Sequence, residues 1–541
     1  MSKPASVINI CSGVRLDNRY EHSIWFASAG AQLAYFAGKT VKVFSAYSYI
    51  RKSWDLRVDA TMEQAKKWNY LYFQNDGGKT YYYFISNIEY INDNAVNLRL
   101  DLDVIQTYLF DFDLLDCFIE RQHTTTDNVG EHTLDEGLEV GELVDNSVYH
   151  ANNEIGELCI LVLASFNPNY ADTEKPVQAF AGMYDRVFSG LKVWAVSSAD
   201  WAEWGAKLEE LDEAGFTDGI IGMWMYPKAL VKLGGENTWT DTDLCKTVDG
   251  SVTLGVDITL YPSGTPTKVN GYTPTNKKLL SYPYNFIYAT NNMGNSAVYR
   301  FERFTDTPSF KVTGSISPDG TVKMRPSAYN GLSVNTSDID QSNYDQGITL
   351  GGFPSCAWDA DVYKMWLAQN QNQHTLSNVT SGLKIVGGAL ATGVGLVTGA
   401  LPMAGAGAMA MVSGSSQIAG HLAQKVDMEI QPPQSRGSFA SNVNINANRH
   451  TFSFYHKSIS AEHARVLDDY FNMYGYKLNR VQKPDIHART AYTYVKTIGC
   501  HVKGNMCAED IVKVETIFDN GITFWVDGDK VADYSQTNNT L

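Results

Sequence analysis

The sequence is short of positive charge: 43 Lys and Arg stand against 59 Asp and Glu, a formal net charge of −16. Nucleic-acid affinity comes mainly from cations neutralising phosphates, so this balance argues against a DNA-binding protein. It does not exclude a surface past which DNA slides without sticking. The seven cysteines (Cys11, Cys117, Cys159, Cys245, Cys356, Cys500 and Cys507) are scattered and form no C-x-x-C pair. They read as free thiols of a chain made in a reducing cytoplasm. The N-terminus, MSKPASVINICSG, has no apolar run of the signal-peptide kind.

Catalytic signatures are missing too. The chain has no phosphate-binding glycine loop, no dinucleotide fingerprint, no H-E-x-x-H and no G-x-S-x-G. Cys500, His501 and Cys507, with His487 upstream, come nearest to a metal set, but their spacing fits no usual zinc pattern. They read as buried thiols and a surface histidine, so neither a metal nor a cofactor is expected. Asp101, Asp103, Asp111 and Asp113 make a local acidic concentration. A glycosidase pair normally flanks its substrate from two elements, whereas Asp101 and Asp103 share one strand face beside Arg99. The chain therefore reads as a non-enzyme.

What is present is a globular chain of 541 residues, 44% hydrophobic and 19% charged, with 31 tyrosines favouring strands and interfaces. That length holds several domains. The first 165 residues read as sheet. Val96, Leu98, Leu100, Leu102 and Val104 alternate with Asn97, Arg99, Asp101 and Asp103, placing one face on a core and one in water. The preceding KTYYYFISNIEYI joins it through Asn92, Asp93 and Asn94 as a hairpin.

Residues 166–350 read as a mixed α/β and loop-rich β module. It contains a helix capped by Ser198 and stopped at Gly215, and then a buried strand, GIIGMWMYP. Residues 351–430 hold a helix over Asp359 to Thr375 and a long hydrophobic loop. Residues 431–541 return to sheet. They include a helix from Ser460 to Gly475, with Val466, Leu467, Tyr470, Phe471 and Tyr474 on one face, and DIVKVETIFDNGITFWVDG, read as strands turning at Asn520-Gly521. The fold class is thus predominantly β with some α, in antiparallel sheets.

Between Lys384 and His421 no residue is charged, a run of 36 positions. As one helix it would be about 54 Å long, against a bilayer core of about 30 Å. Pro402 divides it into 17 and 18 residues, so a helical hairpin fits better than a single span. Its apolar side chains include Ile385, Val386, Leu390, Val394, Leu396, Val397, Leu401, Met403, Met409, Met411 and Val412. Nine glycines interrupt them, each costing a helix in water about 1 kcal/mol. Lipid reverses that balance, because unpaired backbone groups cost more there. Gly395 and Gly399, spaced G-x-x-x-G, would then let helices approach closely. A segment adaptable in water and helical in membrane is the leading reading. A permanently buried hairpin, a low-complexity linker and a permanent anchor are the alternatives.

LDLDVIQTYLFDFDLLDCFIERQH (Leu100 to His123) carries an Asp-Val-x-Gln-Thr-aromatic core and a later Phe-Ile-x-Arg-x-His. With LDEGLEVGE (Leu134 to Glu142), YFNMYGYKLNRVQKPDIHARTAYTYVKT (Tyr470 to Thr497) and TIFDNGITFW (Thr516 to Trp525), it resembles the tail-knob, or distal tail tube, proteins of small short-tailed bacteriophages of Gram-positive hosts. The resemblance implies a homohexameric tube at the virion tail tip, joined to adjoining tail tube or connector proteins. It further implies that hydrophobic loops plug the lumen and then enter the host cytoplasmic membrane, forming a pore through which double-stranded DNA passes without tight binding. Arg99, Asp101 and Asp103 are then candidate channel-lining residues. Two readings stand against this one: a tail appendage that binds or cleaves wall polymers, and a purely structural tail protein with a packed hairpin.

Overall fold

The computed structural model describes residues 6–357 and 451–541, apart from breaks at 48–54, 75–77, 170–182, 185–186, 189–190, 215, 217–218, 236, 318–319, 331–345, 352 and 354. The expected helix at 359–375 and the apolar run at 385–420 lie outside the described residues. The chain divides into two compact units. One comprises Met1–Glu142, Lys268–Tyr284 and Ile459–Leu541; the other comprises Leu143–Thr267 and Asn285–Ser458. Strand dominates both units, and nearly all pairings are antiparallel.

The first unit contains a six-stranded sheet in the order Thr40–Tyr47, Ser6–Cys11, Tyr70–Gln74, Thr80–Asn92, Ala95–Leu102, Asp55–Val58. Its centre is aromatic: Tyr70, Leu71, Tyr72 and Phe73 are all buried, and Phe36 stacks on Tyr70 with ring centroids 5.0 Å apart. The expected hairpin is present. Asn92 pairs with Ala95 around Asp93 and Asn94, and the Tyr90 hydroxyl donates to Asp93 at 2.7 Å. The alternation ends one step early, however. The strand stops at Leu102, Asp103 caps the short helix Val104–Tyr108, and both Asp103 and Val104 are buried.

A five-stranded sheet in the same unit runs His22–Ile24, Ile522–Trp525, Tyr492–Ile498, Cys117–Gln122, Tyr476–Gln482. It interleaves segments from far apart in the chain, and its first pair is parallel, the exception to the expected antiparallel pattern. Helix Ala461–Tyr474 starts where expected: the Ser460 side chain accepts from the His463 N–H, and Gly475 ends it at φ 64°. Ala464, Leu467 and Phe471 face the core, but Val466 points to solvent. The supposed strand at 510–520 is instead the helix Ala508–Asn520. Ile511, Val514, Ile517 and Phe518 recur at helical spacing on its inner side, and Gly521 at φ 92° ends it rather than turning a hairpin. Helix Ala29–Gly38, capped by Ser28, was not foreseen.

The second unit is built on a six-stranded sheet whose central strand, Leu158–Ala164, is buried along its whole length. LCILVLA is a continuous apolar run because both sheet faces are covered. Ile220–Pro227 pairs beside it, the buried strand read from GIIGMWMYP. Helix Trp201–Glu213 begins two residues later than a cap at Ser198 implies, since Ser198–Asp200 form a 3₁₀ turn and Asp200 takes the cap position. Two four-stranded sheets and a two-stranded pairing of Met183–Tyr184 with Val187–Phe188 also belong to the unit. Each unit has its own hydrophobic core.

Candidate functional site

The wet face of Ala95–Leu102 is the first candidate. Arg99 is exposed, while Asn97 and Asp101 are half-buried. Register puts Arg99 between Asn87 and Asp55, and Asn97 between Glu89 and Arg57. Asn97 donates to Glu89 at 3.2 Å, and Asn18 donates to Asp101 at 3.0 Å. The face is therefore charge-mixed, with Arg57 and Arg99 among Asp55, Glu89 and Asp101. It offers an anionic polymer neither a run of cations nor a uniformly acidic wall.

Asp103 does not belong to that face. Its carboxylate lies in the core, accepting from the Gln106 N–H at 3.0 Å and the Tyr70 hydroxyl at 2.8 Å. Burial pushes its pKa up to about 6. Asp101 and Asp103 are thus separated, one in a surface hydrogen bond and one inside. Asp111 pairs with Lys79 at 2.8 Å. Asp101 and Asp111 are each tied to a side chain of another segment, Asn18 and Lys79.

The rest of the Asp-Val-x-Gln-Thr-aromatic stretch is spent on internal ties. The Gln106 amide donates to Ser23 Oγ at 2.9 Å and to the Ile24 carbonyl at 2.7 Å, and it accepts from Gln32 at 2.8 Å. Thr107 Oγ1 accepts from the Tyr82 N–H at 3.0 Å. The Tyr108 hydroxyl donates to Asp510 at 2.8 Å. One short helix thereby fastens a strand, two helices and the six-stranded sheet.

The Phe-Ile-x-Arg-x-His stretch works the same way. Arg121 donates to the Gly475 carbonyl at 2.7 Å and pairs with Glu136, a carboxylate wholly withdrawn from solvent. Lys278 closes on the other oxygen of Glu136, and the Lys477 N–H donates to it at 3.1 Å. Desolvation lowers the Lys278 pKa, and the adjacent Glu136 charge opposes that shift. His123 accepts from the Tyr494 N–H through Nδ1 at 2.8 Å, and its Nε2 lies 3.0 Å from the Asn472 carbonyl. That pairing fixes the neutral tautomer carrying its proton on Nε2, and burial holds the pKa down to about 3.

Sequence reasoning missed the partners of these residues. Asp468, buried on the 461–474 helix, accepts from the Tyr272 hydroxyl at 2.7 Å, the Thr275 N–H at 2.8 Å, and Asn276 through both N–H and amide at 2.9 and 2.8 Å. Glu136 had a signal: it is the buried acid in LDEGLEVGE. Asp468 had only its place on the apolar side of its helix.

The Cys/His set does not assemble. Cys500 is buried, Cys507 and His501 are exposed, and His487 stacks on Trp25 with centroids 3.6 Å apart. Among the described residues no three His, Cys, Asp or Glu side chains form a metal-holding group. Nor is any described helix long and apolar enough to cross a membrane. The apolar residues from Ile385 to Val412, with Gly395, Gly399 and Pro402, all fall outside the described residues.

Known proteins place these ties in context. Residues 257–539 match the family described as the C-terminal domain of tail knob protein gp9 of Bacillus phage phi29. Residues 4–113 match the N-terminus of the caudoviral major tail protein. Tail knob protein gp9 of Bacillus phage B103 is 25% identical over 98% of each chain, and that of Bacillus phage PZA is 26% identical over the same shares. The solved tail knob protein gp12 of bacteriophage C1 shares the fold, with a TM-score of 0.64 over 99% of this chain and all of the other at 15% identity. These relatives are structural tail proteins rather than enzymes. The family match spans just over half the chain, and the most recognisable stretches are those that lock one unit together. The chain therefore belongs to the phi29-type tail knob protein family, as a structural component of a short-tailed phage virion.

Proposed function

We propose that six copies of this chain close into a tube at the tip of the tail, joined to adjoining tail proteins, and that the genome leaves through it. In the resting particle the segment 385–420 plugs the lumen. On contact with the host it leaves the lumen and enters the cytoplasmic membrane, where the six segments form a pore. Arg99 and Asp101 line the channel in this reading, and Asp103 does not, because it is buried. The charge-mixed wet face suits a wall along which DNA moves without tight binding, so no sub-micromolar affinity for duplex DNA is expected at physiological salt.

The observation that carries the reading is the 36-residue uncharged run with Pro402 near its midpoint and nine glycines along it. Glycine and alanine bury little apolar area, so the plug is weakly held and lipid gives its Leu, Val, Ile and Met a better burial. The test is deletion of 385–420, assayed for ring formation by electron microscopy and for dye leakage from liposomes against the full chain. Rings without leakage support the reading. Leakage as fast as that of the full chain would show the segment to be a plug or packed hairpin only.

A further inference from the structure

Among the described residues the five-stranded sheet ends at Tyr476–Gln482, which has a strand neighbour on one side. On its open face Val481 and Ile498 each stand in register with Phe118 of the strand between them. Such neighbours have Cβ atoms about 5 Å apart, so the three side chains make one apolar row. They are 70%, 56% and 36% exposed, respectively. The Glu120–Lys496 ion pair, at 2.9 Å, borders the row. Near its start the edge is closed, because the Lys477 N–H donates to Glu136. From Asn479 to Val481 the residues stand exposed.

The six-stranded sheet of the same unit likewise ends, among the described residues, in a strand with a single neighbour, Thr40–Tyr47. It exposes Val41 and Val43, with Val7 beside them on Ser6–Cys11. Folded proteins normally blunt an apolar edge strand, since it invites pairing with another chain. Here one compact unit carries two, blunted only in part: Lys42 stands on one edge, and Lys477 and Arg480, with a register shift between them, stand on the other.

We infer that the Tyr476–Gln482 edge of one copy packs on the Thr40–Tyr47 edge of the next copy, with Val481, Ile498 and Phe118 at the centre of the contact. A second copy fits better than a foreign partner. A foreign partner accounts for one apolar edge, whereas a head-to-tail ring needs two different faces on every subunit, one given and one received. The inference rests on the tube reading and names where its subunits meet.

The test compares sedimentation of the full chain with a Val481→Glu/Ile498→Glu variant and with Val466→Glu, an exposed helix position outside the contact. The full chain and Val466→Glu should sediment as the same closed multimer, and the double variant should assemble at least tenfold more weakly. Should the double variant misfold, Val43→Cys and Val481→Cys chains, each carrying Cys507→Ser, are mixed and oxidised with copper phenanthroline. Covalent dimers should form in the mixture and not from either chain alone. An assembled full chain with an equally assembled double variant, or with no mixed dimers, overturns this contact and leaves the tube reading standing. A full chain that stays monomeric at tens of micromolar overturns both.

Discussion

The hydroxyl of Tyr108 donates to Asp510 at 2.8 Å across a sequence separation of 402 residues. Both side chains are buried, so an early helix and a late helix of the first unit are joined by a hydrogen bond to a carboxylate. Tyr108→Phe keeps the ring and removes the donor. It should lower stability by about 2 kcal/mol, the usual worth of a buried hydrogen bond to a charged group. The check is the denaturant midpoint against the unaltered chain, with the slope unchanged.

Asp103 sets a pH dependence of unusual sign for an acid. Its folded pKa, about 6, lies above the value of about 4 expected in an unfolded chain. Between those values the folded state holds the proton and the unfolded state does not. The contribution is full below pH 4 and is lost as pH rises through 6. Asp103→Asn, which keeps a capping oxygen, should remove this loss. Its stability relative to the unaltered chain should therefore rise by roughly 2 kcal/mol between pH 4 and pH 7, read from paired urea titrations.

The buried histidines act in the opposite direction. His123 and His456 have folded pKa values near 3 and 4, both held down chiefly by burial. Below about pH 6.5 the unfolded chain takes up protons that the folded chain refuses. The stability they contribute is present above pH 6.5 and is lost as pH falls through each folded value, by roughly 1.4 kcal/mol per unit for each ring. NMR should show both rings neutral at pH 5.5, with the His123 proton on Nε2. A ring midpoint above pH 6 would contradict the arrangement.

Gly475 tolerates no side chain. Its φ is 64°, and a Cβ there would lie 2.4 Å from the carbonyl carbon and oxygen of Gln122. Both contacts are to backbone of the neighbouring strand, which cannot swing away. Gly475→Ala should leave little soluble folded protein, or lower its thermal midpoint by more than 10 °C, as a loss of several kcal/mol implies. An unaffected melting curve would refute this.

Local patterns were legible where a single element decides its own burial. Alternation at 96–102 marked a strand, and Ser460 and Gly475 marked the two ends of a helix. The helix at 508–520 was misread because Ile511, Val512, Val514, Thr516 and Ile517 are β-branched and Asn520-Gly521 imitates a hairpin turn. Packing of its inner side on the five-stranded sheet overrides that propensity. Asp103 was misassigned because period two continues by coincidence one residue past the strand. The pairing of Phe118 with Ile498 and Val481 had no local sign, since it joins segments more than 350 residues apart. Arg121 lies only 15 residues from Glu136, but Lys278, 142 residues away, completes that closure, and no local pattern connects the three. The family motifs were visible as motifs, but their work as internal ties became evident only with the fold.

The interleaved sheet also governs when the first unit exists during synthesis. Among the described residues Cys117–Gln122 finds its strand neighbours in Tyr476–Gln482 and Tyr492–Ile498, and Arg121 awaits a carbonyl 354 residues downstream. At about 5–20 residues per second, that wait lasts tens of seconds on the ribosome. A chain abandoned before residue 476 has no strand on either side of Cys117–Gln122 and cannot complete the first unit. The sheet that holds the two ends of the unit together is thus also the last part of it that can form.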